Sequence, residues 1–249
     1  MKLSVAIITF NEENNIKRTL DAVYDIADEI IIVDSNSTDN TKRIALRYSK
    51  VRFFNEDFKG DGLQKQSAID KCKGEWVLLI DADEEVTLRL KEKIKYLVLN
   101  NNAKYDVYTI RLVSIINMKV IRFGGWSKVT KRILFKRNSG QISPVAVHAS
   151  WQTNSPIGFI TESINHYLYR DPHHQIDKLN LYSTEQSKVN FQKGKKITLF
   201  KVVFIPFYHF IKMYIFRLGF LDGSTGYYLA VVNYFYAFSK YYKLYQLQK

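Results

Sequence analysis

The sequence predicts an α/β protein in which a mostly parallel sheet, flanked by helices, is followed by a C-terminal helical extension. Two observations support this prediction. Over the first hundred residues, short β-branched apolar runs alternate with helical patterns, which is typical of βαβ crossovers and a parallel sheet. From about residue 172 to the end, the pattern is helical. The length of 249 residues fits one large domain, or one domain with an appendage.

Four strands are predicted in this first part, and the first is a β-branched apolar run of the kind that is buried on both faces. They fall at residues 3–10, 30–34, 51–54 and 76–80. Helical patterns follow each of them, with Thr38 or Asp39 as a plausible cap of the second helix and with the last helix starting near Thr87.

The middle of the chain, roughly residues 105–170, has the pattern of antiparallel strands, with a turn at "FGGW" (123–126). A helix is predicted to open with Asp171 as its cap and Pro172 at its first position. Glycines at 219, 223 and 226 indicate a break before a last helix at roughly 227–246. We therefore predict two domains, 1–170 and 171–249.

Composition excludes several classes of protein. Hydrophobic residues make up 46% and charged residues 24%, which is globular composition. The single Cys72 excludes an internal disulfide framework and a multi-cysteine zinc site, and it favours a reducing, cytosolic setting. The first nine residues lack the cleavage site of a signal peptide. Residues 197–221 are apolar, but Pro206 and four basic or histidine side chains interrupt them, so a simple transmembrane span is not expected.

Positive charge and aromatic residues concentrate in the last 57 residues. Residues 193–249 contain nine Lys or Arg and one acid, Asp222, and hold 17 of the 36 Phe, Tyr and Trp. Such a segment suits an anionic membrane surface, nucleic acid or an anionic saccharide-lipid. A helical subdomain with lysines extended over an aromatic core is the structural alternative. The tail contains no established nucleic-acid motif, so we expect no nucleic acid partner.

Polar side chains follow the predicted strands at their carboxyl ends. Asn11 and Glu12 follow the first strand, Asp34 ends the second, and Asp81 and Asp83 follow the fourth. In parallel sheets, ligands bind at this edge. The sequence therefore predicts that polar residues spread over 70 positions converge on one site.

Asp81-Ala82-Asp83 has the spacing that lets two carboxylates face one point while the middle residue turns away. Mg²⁺ and Mn²⁺ take oxygen ligands and are commonly held by one or two carboxylates together with substrate phosphates. Such a cation neutralises the charge that grows on a diphosphate leaving group. The pattern thus suits nucleotide-diphosphate chemistry with Mg²⁺ or Mn²⁺ as cofactor.

Together, the motifs "VAIITFNEENNI", "IIIVDSNSTDNT" and "GDGLQKQSAIDKCKGEWVLLIDADEEV" resemble those of the GT-A glycosyltransferases of family 2, over about the first 90 residues. These enzymes use nucleotide-sugar donors and invert the anomeric centre. Later stretches, including "KRILFKRNSGQI" and "GFLDGSTG", resemble the subgroup that extends heptose in the lipopolysaccharide core. The resemblance implies a GT-A, Rossmann-like nucleotide-sugar-binding sheet over residues 1–170.

The resemblance also implies a role for each matching residue. Asp34 would accept a hydrogen bond from the base, with Asp39 near the base or ribose. Asp83 would be the direct metal ligand. The residues implied in nucleotide-sugar binding are Asn11, Glu12, Asp34, Asp39, Gln64, Lys65 and Asp81. Helix capping by Asp34 or Asp39, first-turn placement of Glu12 and a solvated Lys65 are the structural alternatives.

The catalytic base is where this chain departs from the subgroup. An inverting transfer needs a carboxylate or histidine to take the proton of the acceptor hydroxyl. In the subgroup, "VH" is generally followed by Glu, whereas Ala149 follows His148 here. Glu84 and His148 are the predicted candidates for the base. Further candidates are Glu85, Glu162 and His166. The structural alternatives are a purely structural role for either histidine and, for Glu85, a favourable charge at the start of the next helix.

We therefore expect an inverting hexosyltransferase, with a UDP-sugar as donor and a lipopolysaccharide-core or other cell-envelope saccharide-lipid as acceptor. A degenerate transferase that binds nucleotide sugar or glycan without turnover is the alternative, because Ala149 replaces the expected acid. Cytoplasmic location, with the basic aromatic extension docked at the inner face of the inner membrane, fits both.

Overall fold

The computed structural model describes residues 1–116, 118–126, 129–143, 149–168 and 172–249, apart from the side chains of 172–174. The chain divides into two compact units. The first unit comprises Met1–Leu112 and Val129–His166, and the second comprises Val113–Lys128 and Tyr167–Lys249. The second unit thus contains a segment from the middle of the chain besides its C-terminal part. The domain boundary after residue 170 stays a prediction.

A sheet whose first strands are parallel forms the core of the first unit. The four strand predictions in the first hundred residues are confirmed, and the strands lie side by side in the order β3-β2-β1-β4. Their bounds are β1 Leu3–Thr9, β2 Glu29–Asp34, β3 Val51–Asn55 and β4 Trp76–Asp81.

Both faces of this sheet are buried, as the unbroken apolar runs predict. Successive residues of β1 point to opposite faces, so Val5 and Ile7 join one hydrophobic cluster and Ala6 joins the other. Burial on both sides fixes the register, because a slip of one residue would exchange every side chain between the two clusters.

The predicted antiparallel strands are also confirmed. Beyond β4 the sheet continues in the order β8-β6-β11-β5, with β7 paired to β6, while β9 and β10 form a separate two-stranded sheet. Their bounds are β5 Glu84–Val86, β6 Val107–Ile116, β7 Lys119–Val120, β8 Thr130–Lys136, β9 Gln141–Ile142, β10 Trp151–Gln152 and β11 Ile157–Tyr167.

The large sheet curls within the first unit. Only Ala82 and Asp83 separate β4 from β5 along the chain, yet three strands lie between them in the sheet. The three steps from Asp81 to Glu84 span at most about 11 Å, so the far edge of the sheet must return to the carboxyl end of β4. This curl brings β11, which pairs with β5, to the end of the central parallel strands.

Helices of the first unit follow the parallel strands. Thr87 caps the last of them: its Oγ accepts from the Leu90 N–H at 3.3 Å. Glu85 lies in β5 and pairs with Asn165 of β11, rather than in the first turn of that helix. The bounds are α1 Ile16–Val23, α2 Thr41–Ala45, α3 Asp61–Asp70 and α4 Leu88–Ile94, which continues as a π-helical turn over Lys95–Leu99.

The second unit is mainly helical. Its helices are α5 Pro172–Gln192, α6 Leu199–Ile211 with a π-helical turn over Lys212–Phe216, a 3₁₀ turn over Gly219–Asp222, and α7 Gly223–Leu247. The helix start at Pro172 is confirmed, whereas its predicted cap, Asp171, lies outside the described residues. The Asp222 carboxylate accepts from the Arg122 and Phe123 N–H groups of this unit, which holds the "FGGW" turn in place.

Candidate functional site

The loops after β1 and β2 are fastened to each other by the residues that the resemblance assigns to the nucleotide. The Asn11 N–H donates to Ser37 Oγ at 2.8 Å, and its side-chain oxygen accepts from the Thr38 N–H at 2.9 Å. The Glu12 N–H donates to Thr41 Oγ at 2.8 Å. Asp39 accepts from the Glu13 N–H at 3.0 Å and from Thr41. These contacts bring Asn11, Glu12 and Asp39 together at the carboxyl edge of the sheet.

Asp34 lies below these loops and is fully buried. One of its oxygens accepts from Thr9 Oγ at 2.7 Å and from Ser37 Oγ at 2.5 Å, and the other accepts from the Ser37 N–H at 2.7 Å and Asn55 Nδ2 at 3.3 Å. A carboxylate offers about four acceptor positions. The chain's own donors fill them, so Asp34 holds the edge together in this structure, and its contact with a base stays a prediction.

Asp81, the first carboxylate of the D-x-D motif, lies between two lysines. Lys65 Nζ lies 3.1 Å from its Oδ1, and Lys131 Nζ lies 2.6 Å from its Oδ2. Burial works to raise the pKa of Asp81, but the two ammonium groups outweigh it and hold the pKa well below its ordinary value. Asp81 is therefore charged at neutral pH and forms an ion pair with each of the two lysines.

Lys65 and Lys131 are charged for the same reason. Burial acts to lower the pKa of each, but Asp81 raises both, aided by Asp61 at Lys65 and by Glu84 at Lys131. Asp61 Oδ1 lies 3.0 Å from Lys65 Nζ. The result is a row of alternating charges, Asp61–Lys65–Asp81–Lys131–Glu84, which we call the charge row.

Glu84 ends this row and has no exposed surface. Its Oε1 lies 2.5 Å from Lys131 Nζ, and its Oε2 accepts from the Asp81 N–H at 3.0 Å. Burial raises the pKa of Glu84, with Lys131 opposing this effect. Its backbone is held as well, because Thr19 Oγ lies 2.8 Å from the Glu84 carbonyl oxygen. In this arrangement the carboxylate touches Lys131 and the backbone of Asp81, and an acceptor hydroxyl has no access to it.

Asp83, the second carboxylate of the motif, faces β11 instead. Its Oδ1 lies 3.5 Å from His166 Nε2. Burial lowers the pKa of His166, but the hydrogen bond and charge of Asp83 outweigh it, so the pKa lies above its ordinary value. The two carboxylates of one motif thus differ in partner: Asp81 pairs with lysines and Asp83 with a histidine.

Asp83 supplies a single carboxylate toward a divalent cation, and its role as metal ligand stays a prediction. No group of three or more His, Cys, Asp and Glu side chains is arranged to hold a metal in the part of the chain that the structure describes. One carboxylate with substrate phosphates and water is a common set for Mg²⁺. Asp83 would hold such an ion.

Gln64 adds a polar group without a partner. It lies on α3 next to Lys65 and is buried, and its side-chain nitrogen makes no hydrogen bond to the described residues. A buried donor of this kind costs about 1–3 kcal/mol unless something accepts from it. Because this nitrogen is buried in the structure, contact between Gln64 and a ligand stays a prediction.

The predicted base His148 lies outside the described residues. Ala149, which follows it in the chain, donates its N–H to Asp61 Oδ2 at 3.3 Å. The position where the subgroup carries an acid is therefore fastened to one end of the charge row.

Lys131 is the functional candidate that the sequence analysis missed. It lies on β8, where it pairs with the buried Ile110 of β6. Simple alternation in "TKRILFK" does not reveal this placement, because the register of β8 against β6 shifts between Tyr108 and Thr109.

Comparison with known proteins identifies relatives over the whole chain. The model of the family "Glycosyl transferase family 2" matches residues 4–155. An uncharacterized glycosyltransferase of Rickettsia felis is 31% identical, with 100% of this chain and 90% of the relative covered. The lipopolysaccharide core biosynthesis glycosyltransferase LpsC of Rhizobium meliloti is 29% identical, with 99% and 93% covered.

A similar solved structure is TarS residues 1–349 of S. aureus in complex with UDP. Its TM-score is 0.51 at 17% identity, with 100% of this chain and 91% of that chain covered. At this identity the likeness concerns the fold. It confirms the predicted class, an α/β GT-A sheet flanked by helices with a helical C-terminal part.

Proposed function

The chain belongs to glycosyl transferase family 2, and on that premise we propose that it moves a hexose from a UDP-sugar to a saccharide-lipid of the cell envelope. That it is a glycosyltransferase follows from its family and its relatives. The donor, the acceptor and the inverting course of the reaction are the proposed part.

One observation carries the donor proposal: the charge row at the carboxyl end of the parallel strands. Two lysines are held at the carboxyl edge of a parallel sheet, where α/β proteins bind nucleotides. Both lysines form ion pairs with Asp81, so their ammonium groups are already charged and in place. A diphosphate oxygen can replace the carboxylate oxygen as the partner of such an ammonium group. The TarS structure with UDP supports the choice of nucleotide.

Asp83 is proposed to hold Mg²⁺ or Mn²⁺, which when bound would neutralise the diphosphate oxygens. His166 would orient the Asp83 carboxylate from β11. Both side chains lie in the first unit, on the turn and the strand that the curl of the sheet brings to the end of β4.

In the inverting course, the acceptor oxygen attacks the anomeric carbon as the diphosphate leaves, and a base takes the hydroxyl proton. Glu84 has no access to that proton in this structure, so we propose that it positions Lys131 and Asp81. His148 is retained as the proposed base, because it precedes the Ala149 that is fastened to Asp61.

A lipopolysaccharide-core saccharide is the proposed acceptor, supported by the similarity to LpsC. Such an acceptor is linked to lipid, so the enzyme would meet it at the cytoplasmic face of the inner membrane. The second candidate function, donor or glycan binding without turnover, is favoured by Ala149, which supplies no acid where the subgroup has one.

Donor binding is tested with a panel of nucleotide sugars, scored by the thermal midpoint with and without Mn²⁺. A UDP-hexose in excess over its dissociation constant should raise the midpoint, by mass action on the folded state, and Mn²⁺ should enlarge the rise. Asp83→Ala should remove the Mn²⁺ contribution, while the matched control Asp57→Ala, an exposed residue of the same type, should keep it. The same rise with and without Mn²⁺ in the unmodified protein would remove the metal assignment.

A further inference from the structure

One face of α6 in the second unit is apolar and exposed. Counted from the first of them, its side chains recur at spacings of one, four, five, eight, nine and twelve residues, which places them on one side of the helix. The side chains of Phe200 and Phe204 are 67% and 53% exposed. Their rings contact each other, with 4.2 Å between the centroids. We call this set the α6 face; it consists of Leu199, Phe200, Val203, Phe204, Phe207, Tyr208 and Ile211.

The opposite side of α6 is the side that packs. Val202 is buried in a cluster with Ile197 and Leu244 of α7, and Pro206 is buried as well. Phe207 lies at the border, with its ring edge-on to Tyr234 of α7 at 5.1 Å. The helix is thus fixed by one side, and the α6 face is the side turned to solvent. A patch of this kind on a soluble protein marks an interaction surface.

The charge around the face selects the partner. Residues 193–221 contain six Lys or Arg and no Asp or Glu. Lys193, Lys195 and Lys196 precede the helix, while Lys212 and Arg217 follow its last turn. An apolar strip with cations at both ends and no acid complements a surface that is apolar inside and anionic at its border, which is the description of an anionic bilayer.

We infer that the α6 face binds the surface of an anionic lipid bilayer, with the helix lying in the plane of the headgroups. This goes beyond the proposed transfer, because lipid binding needs neither donor nor acceptor. Each basic side chain near such a surface strengthens binding about fivefold, and the phenylalanines add apolar burial.

A helix that crosses the bilayer is the competing arrangement. Leu199–Phe216 is long and apolar enough for a span by length and composition. Lys201, His209 and Lys212 lie within it, however, and its inner side is packed against α7. Insertion would require that packing to open, whereas binding in the interface uses the face as it stands.

The experiment is flotation of the full chain with lipid vesicles in a density gradient, without nucleotide sugar. Vesicles of phosphatidylcholine alone are compared with vesicles that contain about one quarter phosphatidylglycerol, each at low and high salt. We expect flotation with the anionic vesicles, weaker flotation with the neutral ones, and a decrease at high salt because screening weakens the lysine contribution.

Phe200→Gln with Phe204→Gln is the test variant. Removing two phenylalanines from the bound face should lower the partition coefficient at least about tenfold, while the thermal midpoint and the donor-induced rise stay unchanged. Phe58→Gln with Phe159→Gln is the matched control, because these phenylalanines of the first unit are equally exposed, and it should float as the unmodified protein does.

Four outcomes would overturn the inference. Absence of flotation with anionic vesicles, or equal flotation of the test variant, would remove the lipid assignment. A dimer in analytical ultracentrifugation that the test variant dissociates would assign the face to a second copy of the chain. Retention in the vesicles after alkaline carbonate washing would favour a span. None of these results alters the donor-binding test, so the two proposals fail separately.

Discussion

Lys131 joins two carboxylates of unequal exposure, and this makes it the residue on which the site depends most. Asp81 is partly exposed and has Lys65 as a second partner, whereas Glu84 is buried and has Lys131 as its partner ion. Removing one member of a buried pair is costly because the other is left charged without compensation. Losing Lys131 should therefore matter through Glu84 more than through Asp81.

Lys131→Met is expected to lower the free energy of unfolding by about 3–5 kcal/mol, and adding Glu84→Gln should restore a large part of that loss. Urea unfolding of the two single variants and the double variant measures the coupling. Lys136→Met is the control on the same strand, since its pair with Asp106 is more than 40% exposed on both sides and should contribute at most about 1 kcal/mol. Additive effects of Lys131→Met and Glu84→Gln would contradict the pairing.

For single residues, the sequence predicts which polar residues lie at the site better than it predicts which partners they contact. Polar residues at strand ends are visible in "VDSNSTD" and "LLIDADEEV", and the structure brings them to one edge. The sequence does not reveal that Glu84 turns inward, because that depends on a lysine 47 residues away on β8. Nor does it show that the donors around Asp34 come from the chain itself.

At the scale of elements, Gly226 allows close contact between the start of α7 and the preceding 3₁₀ turn. The sequence marks it only as one of three glycines in a break. In the structure it lies in the first turn of α7, where a Cβ would come within 1.8 Å of the Gly219 carbonyl oxygen of the preceding 3₁₀ turn. The absent side chain therefore allows the start of α7 to approach that turn.

Gly226→Ala is expected to destabilise the second unit by about 1–3 kcal/mol, because backbone must move to admit the methyl group. Ser224→Ala, two residues earlier and exposed, is the control and should be neutral or slightly stabilising through helix propensity. Thermal unfolding followed by circular dichroism measures both. Equal midpoints for the two variants would contradict close packing between the 3₁₀ turn and the start of α7.

Element types followed from the sequence more readily than their arrangement. Strands β1, β2 and β4 are predicted from apolar runs because burial on both faces leaves a clear pattern, whereas the edge strand β3 is only partly buried. The three-residue β5 has no such pattern, since its place is set by pairing with β11, eighty residues further along. The curl of the sheet is therefore a property of long-range pairing.

In the whole molecule, charged residues concentrate at two places, one in each unit. In the first unit, lysines and carboxylates alternate in one row at the end of the parallel strands. In the second unit, basic residues without acids border the exposed α6 face. The net charge of +13 indicates an anionic partner from the sequence alone, but the two locations become distinct only when the fold is known.

Glycosyl transfer itself is the central claim, and acceptor-dependent release of UDP measures it most directly. A UDP-hexose that binds in the thermal test is supplied with Mn²⁺ and a truncated lipopolysaccharide that ends in inner-core heptose. Release should require the acceptor, and Asp83→Ala should lower its rate by about 10²-fold or more, because the charge on the leaving diphosphate is no longer neutralised. Donor binding without any release in the presence of acceptor would contradict the transfer and identify the chain as a binding protein.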